Sequence, residues 1–219
     1  MGYWPIGVSD ATKSLLLTGL LFAGPLYECL IIDGVWESWL RLEPLARLQR
    51  DWAMWRNMVA GPITEECLFR SAAVPLLLVA GCSMRGIIFL SPLVFGLAHL
   101  HHFYEFRVTH PETPLVAAIA RSIIQLSYTS VFGAYATFLF LRTGSLISVI
   151  AVHALCNSMG LPRFWGVLEP YWLPAPEVSH PSNILKWTIP YYVLLLGGST
   201  LWWHSIWSLT ASPLALAVV

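Results

Sequence analysis

The chain has 219 residues, of which 57% are hydrophobic and 11% charged, and its 12 basic residues balance 12 acidic ones. A soluble domain carries about 25% charged residues, so this composition excludes an ordinary soluble globule, and the lack of a basic excess excludes a nucleic-acid partner. What remains is an all-α, polytopic transmembrane bundle, with 11 Trp and 8 Tyr to settle at the membrane interfaces.

No basic stretch with a small-residue cleavage site opens the chain, so the first apolar run, 14–32, reads as a retained span. At roughly 19 residues it matches a bilayer core of about 30 Å. Gly24-Pro25 should kink it, and Glu28 near its end reads as an interfacial carboxylate. From 33 to 56, Arg41, Arg47, Arg50 and Arg56 alternate with Glu37, Glu43 and Asp51. Trp36, Trp39, Leu40, Leu45, Leu48, Trp52 and Trp55 recur between them at helical spacing, the pattern of an amphipathic segment lying in the interface.

A second span covers 57–80 and is broken by Pro62 and Pro75. A turn at 81–86 leads to a third span, 87–101, then to a polar loop, 102–114. The fourth span is 115–141, the fifth 145–159, and a loop at 160–182 with five prolines precedes the last, 184–207. Six helices result. Alternation places seven basic residues (Arg41, Arg47, Arg50, Arg56, Arg107, Arg163 and Lys186) on one side and three (Lys13, Arg85 and Arg142) on the other. The first side is therefore expected to be cytoplasmic.

The chemistry sits in polar groups inside apolar helices. Glu65, Glu66 and Arg70 fall within one span, where each charge costs about 2.5–3.5 kcal/mol on insertion scales. Glu66 and Arg70 are one turn apart and should pair, while Glu65 lies about 100° around the helix. Phe95 and His99 share a face of the third span, with His101 and His102 following. His153 and Asn157 share a face of the fifth. Arg121 and Gln125, also one turn apart, read as polar packing between helices. A carboxylate and a histidine can hold a water and take its proton, and Asn157 and His153 can donate to the oxyanion that forms when that water attacks a carbonyl. The same side chains could bind zinc, although no HExxH helix is present. They could equally be an ion network that braces helices.

Three motifs in order, Glu-Glu-x-x-x-Arg at Glu65, Glu66 and Arg70, Phe-x-x-x-His at Phe95 and His99, and His-x-x-x-Asn at His153 and Asn157, resemble the type II CAAX prenyl endopeptidases. These belong to the larger family of CAAX proteases and bacteriocin-processing proteins. The stretches Trp55-Arg-Asn, Gly61-Pro-Ile-Thr, Ala98-His-Leu-His-His and Tyr128 to Tyr135 extend the similarity to its eukaryotic branch.

The resemblance implies an intramembrane endopeptidase that removes the C-terminal tripeptide of prenylated CAAX proteins. Glu65 and His99 would activate the water, His153 and Asn157 would stabilise the oxyanion, and Glu66, Arg70 and Phe95 would support them, with no metal or other cofactor. The implied partners are farnesylated or geranylgeranylated CAAX proteins such as Ras-like GTPases, together with membrane lipid. The implied place is the endoplasmic reticulum membrane, multi-pass, with the site open to the cytoplasmic side. On this reading residues 1–219 form a single transmembrane CAAX-protease domain that lacks N-terminal helices of the full-length family. The rival readings are a zinc-dependent intramembrane protease and a non-catalytic membrane scaffold.

Overall fold

A computed structural model describes residues 1–174 and 181–218. Among these residues the chain is helical with no strand, as its composition led us to expect. In chain order the α-helices are α1 (Val8–Leu21), α2 (Ala23–Tyr27), α3 (Val35–Leu40), α4 (Glu43–Arg50), α5 (Trp52–Trp55), α6 (Gly61–Glu66) and α7 (Ala73–Val79). They continue with α8 (Met84–Phe89), α9 (Ser91–Leu97), α10 (His101–Thr109), α11 (Leu115–Thr143), α12 (Leu146–Met159) and α13 (Pro181–Leu209). Three π-helical turns, Glu28–Ile32, Arg56–Ala60 and Cys67–Ala72, are spliced between them.

Proline chemistry accounts for much of this pattern. A proline inside a helix donates no N–H, and its ring collides with the carbonyl four residues earlier. For Pro25 that carbonyl belongs to Leu21, where α1 ends, and the run bends there by 84°. For Pro62 and Pro75 the carbonyls belong to Met58 and Ser71, and each lies inside a π-turn. The second apolar run is therefore not interrupted by its prolines. Its backbone stays helical from Trp52 to Val79 by widening ahead of each one.

Among the described residues two helices are long and apolar enough to cross a membrane, Met84–Thr109 and Leu115–Thr143, and the bent pair Val8–Leu21 with Ala23–Ile32 makes a third if it is one span. The polar loop expected at 102–114 is thus mostly helix, since α10 carries the third run on to Thr109. The interfacial stretch is three short helices, α3 to α5, with no buried residue. Asp51 caps α5 by accepting from the N–H groups of Ala53 and Met54 at 2.9 and 3.0 Å.

The chain divides into two compact units, each described by itself. The first comprises Met1–Gly7, Glu65–Val149 and Ser212–Val219. Within it α11 packs along α8 and α9, and Ala136, Leu139, Phe140 and Val74 are buried. Short segments are tied into this unit by backbone acceptors. Ser71 Oγ donates to the Met1 carbonyl at 2.5 Å, Ser145 Oγ to that of Ile6 at 2.8 Å, and the Leu216 N–H to that of Leu141 at 2.8 Å. The second unit comprises Val8–Thr64 and Ile150–Ala211. There α13 packs against α1 and α2, and its core is Ile32, Leu168 and Tyr191 with Tyr27, Trp187, Tyr192 and Leu195 around them. Close approach requires glycine at Gly198, where an added Cβ would run into the Leu20 carbonyl.

Candidate active site

The first unit holds Glu65, Glu66, Arg70, Phe95 and His99. Arg70 and Glu66 form an ion pair one turn apart, as their spacing predicts. Arg70 Nη1 donates to Glu66 Oε1 at 2.9 Å, and the two side chains are 1% and 0% exposed. Charges so enclosed need every available partner. Arg70 finds two more on neighbouring helices: Nη2 donates to the Gly133 carbonyl at 3.2 Å, and the guanidinium lies 4.5 Å from the centroid of the Phe95 ring. The Phe132 ring is 5.7 Å away. Gly133 makes room for this, because a Cβ there would lie 3.3 Å from Arg70 Nη2 and 2.8 Å from Pro92 Cβ.

Phe95 links the ion pair to the histidine. It is buried, and its ring meets Phe69 at 5.1 Å and His99 at 4.9 Å, both edge to face. His99 Nδ1 is 2.8 Å from the Phe95 carbonyl. A carbonyl only accepts, so Nδ1 carries a proton, and in the neutral form of such a ring the lone pair is on Nε2. That is the tautomer a general base needs. Glu65 is half-buried, adjoins the ion pair in sequence and adds to the negative field at Arg70. His102 turns away to its own carboxylate, with Nδ1 3.0 Å from Glu105 Oε2, and His101 Nδ1 donates to the Ala98 carbonyl at 2.8 Å.

His153 and Asn157 lie on α12 and belong to the second unit. His153 is buried, whereas Asn157 is exposed and its Nδ2 donates to the Asn57 carbonyl at 2.8 Å. Just beyond α12 the loop is pinned. Arg163 donates through Nε and Nη2 to Glu28 Oε1 at 3.0 and 2.6 Å, and its backbone N–H donates to Tyr191 Oη at 2.7 Å. The bond to Glu28 raises the Arg163 guanidinium above its usual value, and burial opposes it. Glu28 is thus a half-buried carboxylate with a partner 135 residues away, which its position in the first run did not disclose. Arg121 sits over the Phe106 ring at 4.6 Å, in keeping with helix packing. Among the described residues no three His, Cys, Asp or Glu side chains are grouped to hold a metal ion.

A family model described as Type II CAAX prenyl endopeptidase Rce1-like matches residues 48–159, which contain every residue of the three motifs. The chain is 41% identical over 198 residues to a protein of Schizosaccharomyces pombe named "Probable CAAX prenyl protease 2", covering 90% of this chain and 66% of that one. It is 41% identical to the "CAAX prenyl protease 2" of Arabidopsis thaliana (68% of this chain, 52% of that one). To the human protein of the same name it is 40% identical (77% of this chain, 53% of that one). The chain therefore spans about half to two thirds of the length of these curated relatives. No solved structure matches it. The chain is a membrane protein and belongs to the Rce1-like family of type II CAAX prenyl endopeptidases.

Proposed function

We propose that this chain is an intramembrane endopeptidase that hydrolyses the peptide bond following the prenylated cysteine of a CAAX protein. The observation that carries the reading is the state of His99. Its Nδ1–H is committed to the Phe95 carbonyl, so Nε2 remains to take a proton. The neighbouring Glu66–Arg70 pair neutralises one carboxylate, and Glu65 beside it is assigned as the acidic member of the base.

In this mechanism Glu65 and His99 hold a water and remove its proton as its oxygen attacks the carbonyl carbon. His153 and Asn157 donate to the oxyanion. Collapse breaks the C–N bond, the proton passes to the leaving amine, and the tripeptide departs. The substrates are farnesylated or geranylgeranylated proteins, Ras-like GTPases among them. The names of the relatives and the family description support prenylated CAAX proteins as the substrate class. The site works in a multi-pass protein of the endoplasmic reticulum membrane and opens toward the cytoplasm, a side supported by the seven-to-three division of basic residues in the sequence.

The test is cleavage of a farnesylated CAAX peptide by the purified chain. Glu65→Gln and His99→Ala should each abolish turnover while the protein still inserts and unfolds at the parental temperature. Cleavage at the parental rate by either variant overturns the assignment of the base. Metal content and chelator sensitivity, measured on the same preparation, report a zinc-dependent route if there is one.

A further inference from the structure

Asn157 bonds to a backbone carbonyl that lies five residues before a proline in a distant helix. In the π-turn Arg56–Ala60 the Gly61 N–H serves the carbonyl of Arg56, five residues back. In the same register the carbonyl of Asn57 would be served by residue 62. That residue is proline and has no N–H to give. The Asn57 carbonyl is thus left open by the helix that contains it, and Asn157 Nδ2 closes it at 2.8 Å across 100 residues of sequence.

Because a carbonyl accepts and never donates, this bond settles which end of the Asn157 amide points toward Asn57. One N–H is spent on the carbonyl, and the second remains. We propose that Pro62 is a positioning residue. By withholding an N–H from Asn57 it reserves that carbonyl for Asn157, and so fixes the amide whose remaining N–H donates to the oxyanion. The inference rests on the catalytic role proposed above for Asn157, but the contact itself does not.

The geometry singles out one variant. Pro62→Ala restores an N–H at position 62 and allows the helix to satisfy Asn57 from within. Helices tolerate alanine far better than proline, so the variant should fold, with a thermal midpoint equal to or above that of the parent. Turnover of the farnesylated peptide should nonetheless fall by about ten- to a hundredfold, the scale on which small displacements of a catalytic group act, with KM changed less than twofold. Adding Pro62→Ala to Asn157→Ala should cost nothing further. A bracing role predicts the opposite: lower thermal midpoint and lower turnover together, and an equal additional loss in the Asn157→Ala background. Either of those results, or full turnover by Pro62→Ala, overturns the proposal.

A readout that needs no activity is the side-chain amide signal of Asn157 in ¹⁵N-labelled protein, identified by its loss in Asn157→Asp. Its hydrogen exchange should be slow in the parent and fast in Pro62→Ala. If the parent chain cleaves no prenylated peptide, the function fails while this measurement still decides the contact. Unchanged exchange in Pro62→Ala refutes the contact whatever the activity.

Discussion

Replacing Arg70 by alanine should be the most destabilising single change near the site. The substitution removes the 2.9 Å bond to Glu66, the 3.2 Å bond to the Gly133 carbonyl and the guanidinium stacked 4.5 Å over Phe95. Breaking a buried pair from one side costs about 3–5 kcal/mol, because the other charge stays buried without its counter-charge. A desolvated cation–π contact adds about 1–2 kcal/mol. Allowing for overlap between the two, the loss comes to about 4–6 kcal/mol. For a chain of this length that is a fall in thermal midpoint of roughly 8–24 °C.

Removing both charges at once should cost much less. The double variant Glu66→Gln/Arg70→Met keeps the volume and strands no ion, and such replacements come out close to neutral. We expect it to lie within about 2 kcal/mol of the parent. The assay is thermal unfolding in one detergent, followed by tryptophan fluorescence, for the parent, Glu66→Gln, Arg70→Met and the double variant. A coupling energy near 3 kcal/mol is expected, and a value below about 0.5 kcal/mol, the level of independent sites, would refute the view that the two residues act as one buried unit.

Two further outcomes are expected, one from the role proposed for His153 and one from the packing around Arg70. His153→Ala should lower kcat by about a hundred- to a thousandfold, the scale of losing one oxyanion donor, with a smaller effect on KM. A defect confined to KM argues against that role. Gly133→Ala places a Cβ 2.8 Å from Pro92 Cβ and 3.3 Å from Arg70 Nη2. It should destabilise by about 1–3 kcal/mol, and the loss should shrink in the Glu66→Gln/Arg70→Met background, where the guanidinium no longer needs the space. An equal loss in both backgrounds would mean that only the contact with Pro92 matters.

Local spacing explains what could be read in advance. Glu66 with Arg70, and Phe95 with His99, are four residues apart, and a helix brings such positions together whatever surrounds them. The third partners of Arg70 were not legible, because Gly133 and Phe132 are more than sixty residues along the chain and carry no polar side chain to mark them. The same holds for the Asn57 carbonyl, a backbone atom whose availability depends on the hydrogen-bond register around Pro62. Pro62 and Pro75 were visible as breakers, but whether a helix breaks or widens at a proline is decided by packing. The charges of segment 102–114 predict a loop. Yet Glu105 and Arg107 are served within a turn or so, by His102 at 3.0 Å and the Thr113 carbonyl at 2.6 Å, so polarity there did not require an irregular backbone.

The π-turn at Cys67–Ala72 has a consequence for how the chain tolerates changes of length. A π-turn is an α-helix holding one surplus residue. Deleting one position between Arg70 and Pro75 would remove that surplus with little change in the angle between the face carrying Glu65 and Glu66 and α7, but it would bring the Pro75 ring against the carbonyl four residues before it. Such a deletion would look harmless to any measure of side-chain register and would still leave one carbonyl without an N–H and with a proline ring pressed against it. The surplus residue works as a spacer, which lets one helical rod carry Pro75 without turning the carboxylates away from the apolar surface that follows them.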